Sequence, residues 1–155
     1  MKFRWIDRIV ELSRGERIVA VKAVTLGEEY LADHFPTFPV LPGVLMLEAL
    51  TEAGAWLVRD AHDFVDTVVL LREARNVTFK SFVKPGNLLR LEVDCCRLAQ
   101  GESDFVGVGY CDQVGVVRAG FSLVHFGPER HHRSSERTAD RLAGDARARF
   151  ERLRY

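Results

Sequence analysis

The chain has few cysteines, no surplus of either charge and no long apolar run. It holds three cysteines among 155 residues, with no Cys-x-x-Cys pair, which argues against a cysteine-based metal site or a disulfide framework. Cys95, Cys96 and Cys111 are therefore expected to be reduced core thiols in a reducing compartment. Basic and acidic residues balance at 22 each, which gives no general attraction to nucleic acid.

Signals for secretion or membrane insertion are equally scarce. The best apolar run is broken by Glu48 and Glu52, so no transmembrane helix is predicted. The opening segment MKFRWIDRIVEL is charged throughout and lacks the apolar core of a secretory signal. A cytoplasmic location is expected. A chain of 155 residues, 47% of them hydrophobic, suits one globular domain.

The N-terminal part predicts a hairpin, an irregular loop and a buried helix. Two runs rich in Val and Ile flank Arg14-Gly15, where glycine suits a tight turn. Gly27 to Phe38 has no period, which predicts a loop with room for one helical turn. Pro42 suits the first turn of a helix that VLMLEALTEAGAWLVRD continues to about Arg59. Apolar residues cover nearly its whole circumference, so the helix should lie inside the protein.

The chain from the acidic surface loop DAHDFVD to Phe126 predicts consecutive antiparallel strands. Turns are expected at Lys84 to Asn87, at Gly101 and near Gln113. The order of hairpin, helix and strands predicts an α+β fold in which one antiparallel sheet wraps one buried helix. Bulges or close backbone approaches are expected at the in-strand glycines Gly107, Gly109 and Gly120.

The segment from Pro128 to Tyr155 has a different composition, with eight arginines and five acidic residues. It is separated here as an Arg-rich C-terminal helix or tail (128–155) from a main domain (1–127). Helical spacing of apolar residues predicts a terminal amphipathic helix that docks on its own domain or frays. The residues that set this spacing are Ala139, Leu142, Ala143, Ala146, Phe150 and Leu153.

The segment HFPTFPVLPGVLMLEAL, from His34 to Leu50, contains the residue types of an acid–base site. Its prolines restrict the backbone around His34, and a histidine titrates where a general base can work. A carboxyl buried on an apolar helix, as expected for Glu48, tends to hold its proton and can act as a general acid. The amides of Gly43 and Val44 open that helix, where an oxygen gaining negative charge is stabilised. These groups suit removal of a proton next to a thioester carbonyl while a β-hydroxyl leaves as water, without cofactor or metal.

A structural interpretation of the same residues remains open at this point. A histidine in a proline-rich loop is commonly a hydrogen-bonded structural residue, and a glutamate in an apolar helix can pair with an arginine across a subunit interface. Glu52 lies one turn beyond Glu48 on the same face, where two buried carboxyls would repel each other. Leu47, Leu50 and Trp56 could border a tunnel but suit the core better.

The segment DHFPTFPVLPGVLMLEALTEAG closely resembles the active-site segment of the 3-hydroxyacyl-[acyl-carrier-protein] dehydratases of type II fatty acid synthesis. FRWIDRIVELSRGERIVAVKAVTLGEEY is similar to the opening hairpin of that family, and FKSFVKPGN to its segment after the helix. The resemblance runs from about Phe3 to Phe126. It implies a hotdog fold, in which an antiparallel sheet wraps a long central helix.

The resemblance also implies roles for single residues. His34 matches the catalytic histidine and Glu48 the catalytic glutamate, while the Gly43 amide matches the group that binds the thioester carbonyl. Val44 and Phe35 are the neighbouring substrate contacts. The implied reaction converts (3R)-hydroxyacyl thioesters to trans-2-enoyl thioesters, and glutamate rather than aspartate at position 48 favours dehydration without isomerisation.

The resemblance implies partners as well. The substrate would be carried on an acyl-carrier protein, with Lys80, Lys84 and the tail arginines as candidate docking groups. The histidine and the facing glutamate come from different subunits in this family, so a homodimer is implied, and some members form trimers of dimers. No cofactor or metal is expected.

Four positions depart from the family pattern: Asp33, Thr37, Phe38 and Glu52. They mark a divergent member, suited to a specialised lipid or polyketide-like pathway. Two alternatives stay open: a hotdog thioesterase, in which Glu48 or Glu52 activates water, and a non-catalytic acyl-binding or scaffold subunit.

Overall fold

A six-stranded antiparallel sheet surrounds one long helix in the computed structural model, which describes residues 4–128 and 136–155. The strand order is β1-β2-β4-β5-β6-β3, so β1 and β3 form the two edges. This arrangement confirms the predicted hotdog fold. The elements are β1 (Arg8–Ser13), β2 (Arg17–Ala23), α1 (Tyr30–Asp33), α2 (Gly43–Ala61), β3 (Val68–Phe79), β4 (Leu88–Leu98), β5 (Glu102–Cys111), β6 (Val114–Phe126) and α3 (Glu136–Leu153).

The predicted turns join these elements where the backbone needs unusual dihedral angles. Gly15 has a φ of +72° between β1 and β2, and Gly101 has a φ of +81° between β4 and β5. Gln113 also takes a positive φ, of 66°, in the β5–β6 turn. The helix begins at Gly43 directly after Pro42, as predicted, and runs two residues beyond the predicted end at Arg59.

Helix α2 and the sheet approach each other through glycines on both sides. A Cβ at Gly107 of β5 would lie 2.9 Å from Leu50, and one at Gly54 of α2 would lie 3.0 Å from Phe121. Contacts this short leave no room for even one methyl group without movement. The close approach predicted at Gly107 is confirmed, and Gly120 lies beside an irregularity in the β3–β6 pairing.

The first two turns of α2 are more open than predicted. Val44 is 67% exposed and Glu48 is exposed, while the residues from Ala49 to Val58 are almost all buried. The sheet covers only part of the helix surface here, because β3 forms the edge on this side. The expectation of a helix enclosed all round by its own chain is therefore wrong for its N-terminal half.

The two sheet edges differ in length and in exposed side chains. Strand β1 has six residues and an irregular register, features that limit further strand pairing. Strand β3 has twelve residues and exposes Leu70 (53%) and Leu71 (42%). A long edge with exposed leucines is suited to pairing with another strand.

The C-terminal helix α3 packs on the body of the protein, as the apolar spacing predicted. Phe150 and Leu153 are buried, and Phe150 lies between Trp56 and Phe64, with ring centroids 6.0 and 5.3 Å away. Leu142, in contrast, is exposed. The part of the predicted tail from 129 to 135 lies outside the described residues. No helix within 4–128 or 136–155 is long and apolar enough to cross a membrane.

Two smaller expectations need correction. The loop DAHDFVD is not only a surface loop, because Phe64 belongs to the core and Asp66 bonds two histidines. Of the cysteines, Cys111 is buried but Cys96 is exposed, so the three are not all core thiols. All three are free, and burial raises the pKa of the Cys111 thiol.

Candidate active site

His34 lies in a loop that is closed by backbone hydrogen bonds. Its Nδ1 is 3.1 Å from the carbonyl oxygen of Val40, and the Val40 amide donates to the His34 carbonyl at 3.0 Å. Because a carbonyl only accepts, Nδ1 carries the proton and Nε2 keeps its lone pair. The ring is half-buried and stacks on Phe35 at 4.3 Å. This is the tautomer that a general base needs.

The start of α2 presents amide groups beside an aromatic ring. The amides of Leu45 and Met46 bond the Pro42 carbonyl, so Gly43 and Val44 precede the first amide bonded within the helix. A Cβ at Gly43 would lie 3.1 Å from the ring of Phe79. Any other residue there would displace this ring, which explains the glycine in physical terms.

Glu48 lies on the wall of a cavity of about 930 Å³. Its Oε2 is 3.4 Å from the Thr51 hydroxyl, which bonds the Glu48 carbonyl more closely, at 2.8 Å. The cavity follows one face of α2, with Trp5, strand β3 and helix α3 as its other walls. The helix residues in this wall are Glu48, Thr51, Glu52, Ala55, Trp56 and Arg59.

The single chain does not bring His34 and Glu48 together. His34 is absent from the lining of the cavity that holds Glu48, and its ring contacts Phe35 and Val40 instead. Glu48 is exposed in the single chain, so the burial expected for its carboxyl is not provided by the chain itself. Glu48 thus lies beside the edge strand β3, whereas His34 is held half-buried in its own loop.

Glu52 lines the same cavity as Glu48 but has hydrogen-bond partners of its own. Its carboxylate accepts hydrogen bonds from the Trp5 amide at 2.7 Å and from the Arg149 guanidinium at 2.7 Å. The Trp56 indole N–H points to the same carboxylate at 3.4 Å. Glu52 therefore links α2 to α3 and to the segment before β1. Repulsion was predicted for the case that both carboxyls are buried, and this condition is not met because Glu48 is exposed.

Two arginines at the far end of the cavity were missed by the sequence reasoning. Arg59 and Arg149 lie over the Trp56 ring, at 5.0 and 5.2 Å from its centroid. Burial, together with the charge of Arg149, lowers the pKa of Arg59 to about 10. Arg59 stands eleven residues after Glu48, on the same helix face, and this spacing was the available signal. Of the three tunnel candidates, Trp56 lines the cavity, whereas Leu50 is core.

Three of the four departures from the family pattern lie at the surface of the segment around His34. Asp33, Thr37 and Phe38 are all exposed. The Phe38 ring packs edge-on against Phe82 at 5.8 Å, and the Lys84 ammonium lies 4.8 Å from the Phe38 ring centroid. Lys84 thus supplies a positive charge beside the position where the family commonly has a basic residue.

Comparison with known proteins identifies the family of this chain. The profile of the FabA-like domain matches residues 1–118. The 3-hydroxyacyl-[acyl-carrier-protein] dehydratase FabZ of Halalkalibacterium halodurans is 42% identical over 96 residues, which cover 62% of this chain and 69% of that protein. The FabZ dehydratase of Albidiferax ferrireducens is 41% identical over 120 residues, 76% of this chain and 80% of that protein.

A solved structure supports the fold at lower identity. The dehydratase heterocomplex ApeI:P from Xenorhabdus doucetiae aligns with a TM-score of 0.64 and 14% identity, over 90% of this chain and 88% of that chain. The fold and the cavity along its helix define a hotdog-fold protein. The chain belongs to the FabA-like family, and the resemblance to the 3-hydroxyacyl-[acyl-carrier-protein] dehydratases is confirmed.

Proposed function

We propose that this protein dehydrates (3R)-hydroxyacyl thioesters, carried on an acyl-carrier protein, to trans-2-enoyl thioesters in fatty acid or related lipid or polyketide-type synthesis. The observation that carries the proposal is the bond from His34 Nδ1 to the Val40 carbonyl, which leaves Nε2 free to accept a proton. It occurs in a chain whose curated relatives at about 40% identity are dehydratases.

The proposed chemistry uses two side chains and one backbone amide. His34 Nε2 takes the proton from C2. The thioester carbonyl oxygen, which gains negative charge, accepts a hydrogen bond from the Gly43 amide. The C2–H electron pair becomes the C2–C3 double bond as the C3–O bond breaks, and the leaving hydroxyl takes a proton from Glu48 to depart as water. Transfer of the proton from His34 back to Glu48 restores the starting state. Phe35 and Val44 border the substrate.

A second copy of the chain is needed to complete this site. His34 does not line the cavity that holds Glu48, and this cavity is bordered by the edge strand β3. We propose a two-fold dimer in which the β3 strands pair, so that His34 of one subunit faces Glu48 of the other. Further assembly into a trimer of dimers stays a prediction.

An assay that follows two products separates the proposal from its alternatives. With a 3-hydroxyacyl thioester we expect enoyl product without free thiol, and a loss of about 100-fold or more in kcat for His34→Ala and for Glu48→Gln. Thiol release would instead indicate a thioesterase, a reading weakened by the bonds that already occupy Glu52. Binding with neither product would indicate a scaffold.

Mixing the two inactive variants tests the shared site directly. In a dimer of His34→Ala with Glu48→Gln, one site loses both groups and the other keeps both. Random mixing makes half of all dimers mixed, so co-refolded protein should regain about a quarter of wild-type activity. A mixture that stays as inactive as its components would refute a site shared between subunits.

The acyl-carrier protein is proposed to approach through positive charge. Acyl-carrier proteins are acidic, and Lys84 and the exposed arginines of α3 offer complementary charge. Removal of residues after Gly127 is a poor test, because it would take Phe150 out of the core. Lys84→Gln should raise the KM for carrier-bound substrate more than for a small thioester mimic. An equal effect on both substrates would exclude a docking role.

Two further expectations stay predictions. The division into a main domain (1–127) and an appended C-terminal segment (128–155) is proposed from composition, and α3 nevertheless contributes to the core. A cytoplasmic location is proposed from the pathway that the reaction serves.

A further inference from the structure

Three chemically active side chains meet at the C-terminal end of α2, away from Glu48. His62 follows the last helical residue, Asp66 lies just before β3, and His125 lies near the end of β6. The Asp66 Oδ2 atom is 2.7 Å from Nδ1 of His62 and 2.5 Å from Nδ1 of His125. One ligand atom from each of the three residues can be chosen so that all lie within 4.8 Å of one another. The proposed dehydration does not use any of them.

The surroundings favour a cation. The cluster opens into a second cavity, of about 600 Å³, between the end of α2, the β4–β5 turn and helix α3. Its described lining includes Asp63, Asp140 and Gln100 but no lysine or arginine. The Asp63 carboxylate is paired with Arg14, so Asp140 and Gln100 are the additional oxygen donors within reach of the cavity. A cavity with this lining attracts positive charge.

The second ring nitrogen of His125, Nε2, is hydrogen-bonded to the protein, as is common for a metal-binding histidine. Its Nε2 is 3.0 Å from the Ser103 hydroxyl, and both side chains are fully buried. The Ala99 amide donates to the same hydroxyl at 3.3 Å, which fixes its position. A histidine that binds metal through one ring nitrogen commonly bonds a polar group through the other, which sets its tautomer and its orientation. With Nδ1 on a metal, Nε2–H would donate to Ser103.

We propose that His62, Asp66 and His125 bind one divalent transition-metal ion per chain, with Zn²⁺ as the best-suited ion. Two imidazoles and one carboxylate form a ligand set that zinc uses, with bonds of about 2.0–2.2 Å and a fourth position open to the cavity. Ligand atoms around such an ion lie about 3.3 Å apart. The two Asp66–histidine separations of 2.7 and 2.5 Å must therefore open by less than about 1 Å, and all three ligand atoms already lie within 4.8 Å of one another. The ion would tie the end of α2 to the β3–β6 pair.

Zinc titration of chelator-treated full-length protein tests the proposal. Calorimetry should show saturable binding of one Zn²⁺ per chain in the micromolar range or tighter, and a rise in the unfolding midpoint. His62→Gln and Asp66→Asn should each weaken binding by about 100-fold or more. Ser103→Ala should weaken it by about 10- to 100-fold, a loss that a purely structural hydroxyl would not cause.

Matched controls separate this cluster from other zinc ligands. His131→Gln with His132→Gln, and Cys95→Ser with Cys96→Ser, should leave the affinity unchanged. The wild-type titration decides the question even if a cluster variant fails to fold. No saturable binding, or binding that survives both His62→Gln and Asp66→Asn, would overturn the proposal and leave a metal-free hydrogen-bond network. Either result leaves the dehydratase proposal untouched, because binding and unfolding are measured without substrate.

Discussion

The two halves of helix α2 differ in how far the rest of the chain covers them. The C-terminal half is enclosed by its own chain: Trp56 and Phe64 pack on Phe150, and the end of the helix is bonded into the histidine cluster. The N-terminal half carries Val44 and Glu48 at an open surface beside the long edge of β3. One half is covered by its own chain, while the other is the surface on which the proposed dimer would form. Three experiments test this difference, and a fourth measures an effect outside both halves.

The largest expected effect is on folding, in the closed half. Phe150→Ala removes a buried ring from the contact with Trp56 and Phe64, and should lower the free energy of unfolding by about 3–5 kcal/mol. Denaturant titration measures this loss. Leu142→Ala, on the exposed face of the same helix, should change stability by less than about 0.5 kcal/mol. Similar losses in both variants would mean that α3 is not docked through Phe150.

In the open half the expected effect is on assembly and activity. Leu70→Arg places a charge at the exposed β3 edge and should convert the proposed dimer to a monomer, with a fall of about 100-fold in kcat/KM. The unfolding midpoint of the monomer should change little. Leu26→Arg, in an exposed loop, is the matched control. A Leu70→Arg protein that remains an active dimer would show that this edge is not the interface.

The ion pair between Glu52 and Arg149 lies where the two halves meet. Glu52→Gln and Arg149→Met should each cost about 1–3 kcal/mol, because the remaining partner keeps a half-buried charge. In a double-mutant cycle the two losses should be non-additive by about 0.5–3 kcal/mol. Arg152→Met, which is exposed on α3, is the control. Additive losses would mean that the pair does not couple the helices.

The smallest effect is a pH dependence that belongs to neither half. The Ser122 hydroxyl, followed by the Arg97 guanidinium, lowers the pKa of Asp104 on β5. A lowered folded-state pKa stabilises the fold above the unfolded-state value of 3.8, and this contribution is lost as the pH falls through the folded-state pKa.

Asp104→Asn should therefore lose about 1 kcal/mol of stability at pH 7 and match the wild type at strongly acidic pH. Unfolding curves across this range measure the difference, while dimer content and activity at pH 7 should stay unchanged. A stability gap that persists at low pH would assign the effect to packing instead of charge.

The parts that sequence predicted well depend on local chemistry. Gly15 and Pro42 mark their boundaries because a positive φ and a missing amide hydrogen act within a few residues. The resemblance around His34 identified the fold because this segment combines several local requirements. The tautomer of His34 follows from Val40, only six residues away.

The parts that sequence reasoning missed depend on distant partners. Glu52 was expected to interact with Glu48, but its arginine is Arg149, which is 97 residues away. Asp66 and His125 are 59 residues apart, so the cluster cannot be read from spacing. The exposure of Glu48 depends on which face of α2 the sheet leaves uncovered. This face could not be predicted from the sequence, because apolar residues occur nearly all round the helix.

The tight contact between Gly107 and Leu50 gives a residue with no side chain an influence on reactivity. Because the helix rests on bare backbone there, the spacing between the two layers is already at its minimum. An added methyl group would have to displace the Leu50 side chain, which belongs to the same helix as Glu48, and small displacements matter for proton transfer. Gly107 of β5 thus limits how close the sheet and helix α2 can lie, on the side of the helix opposite to the proposed acid Glu48.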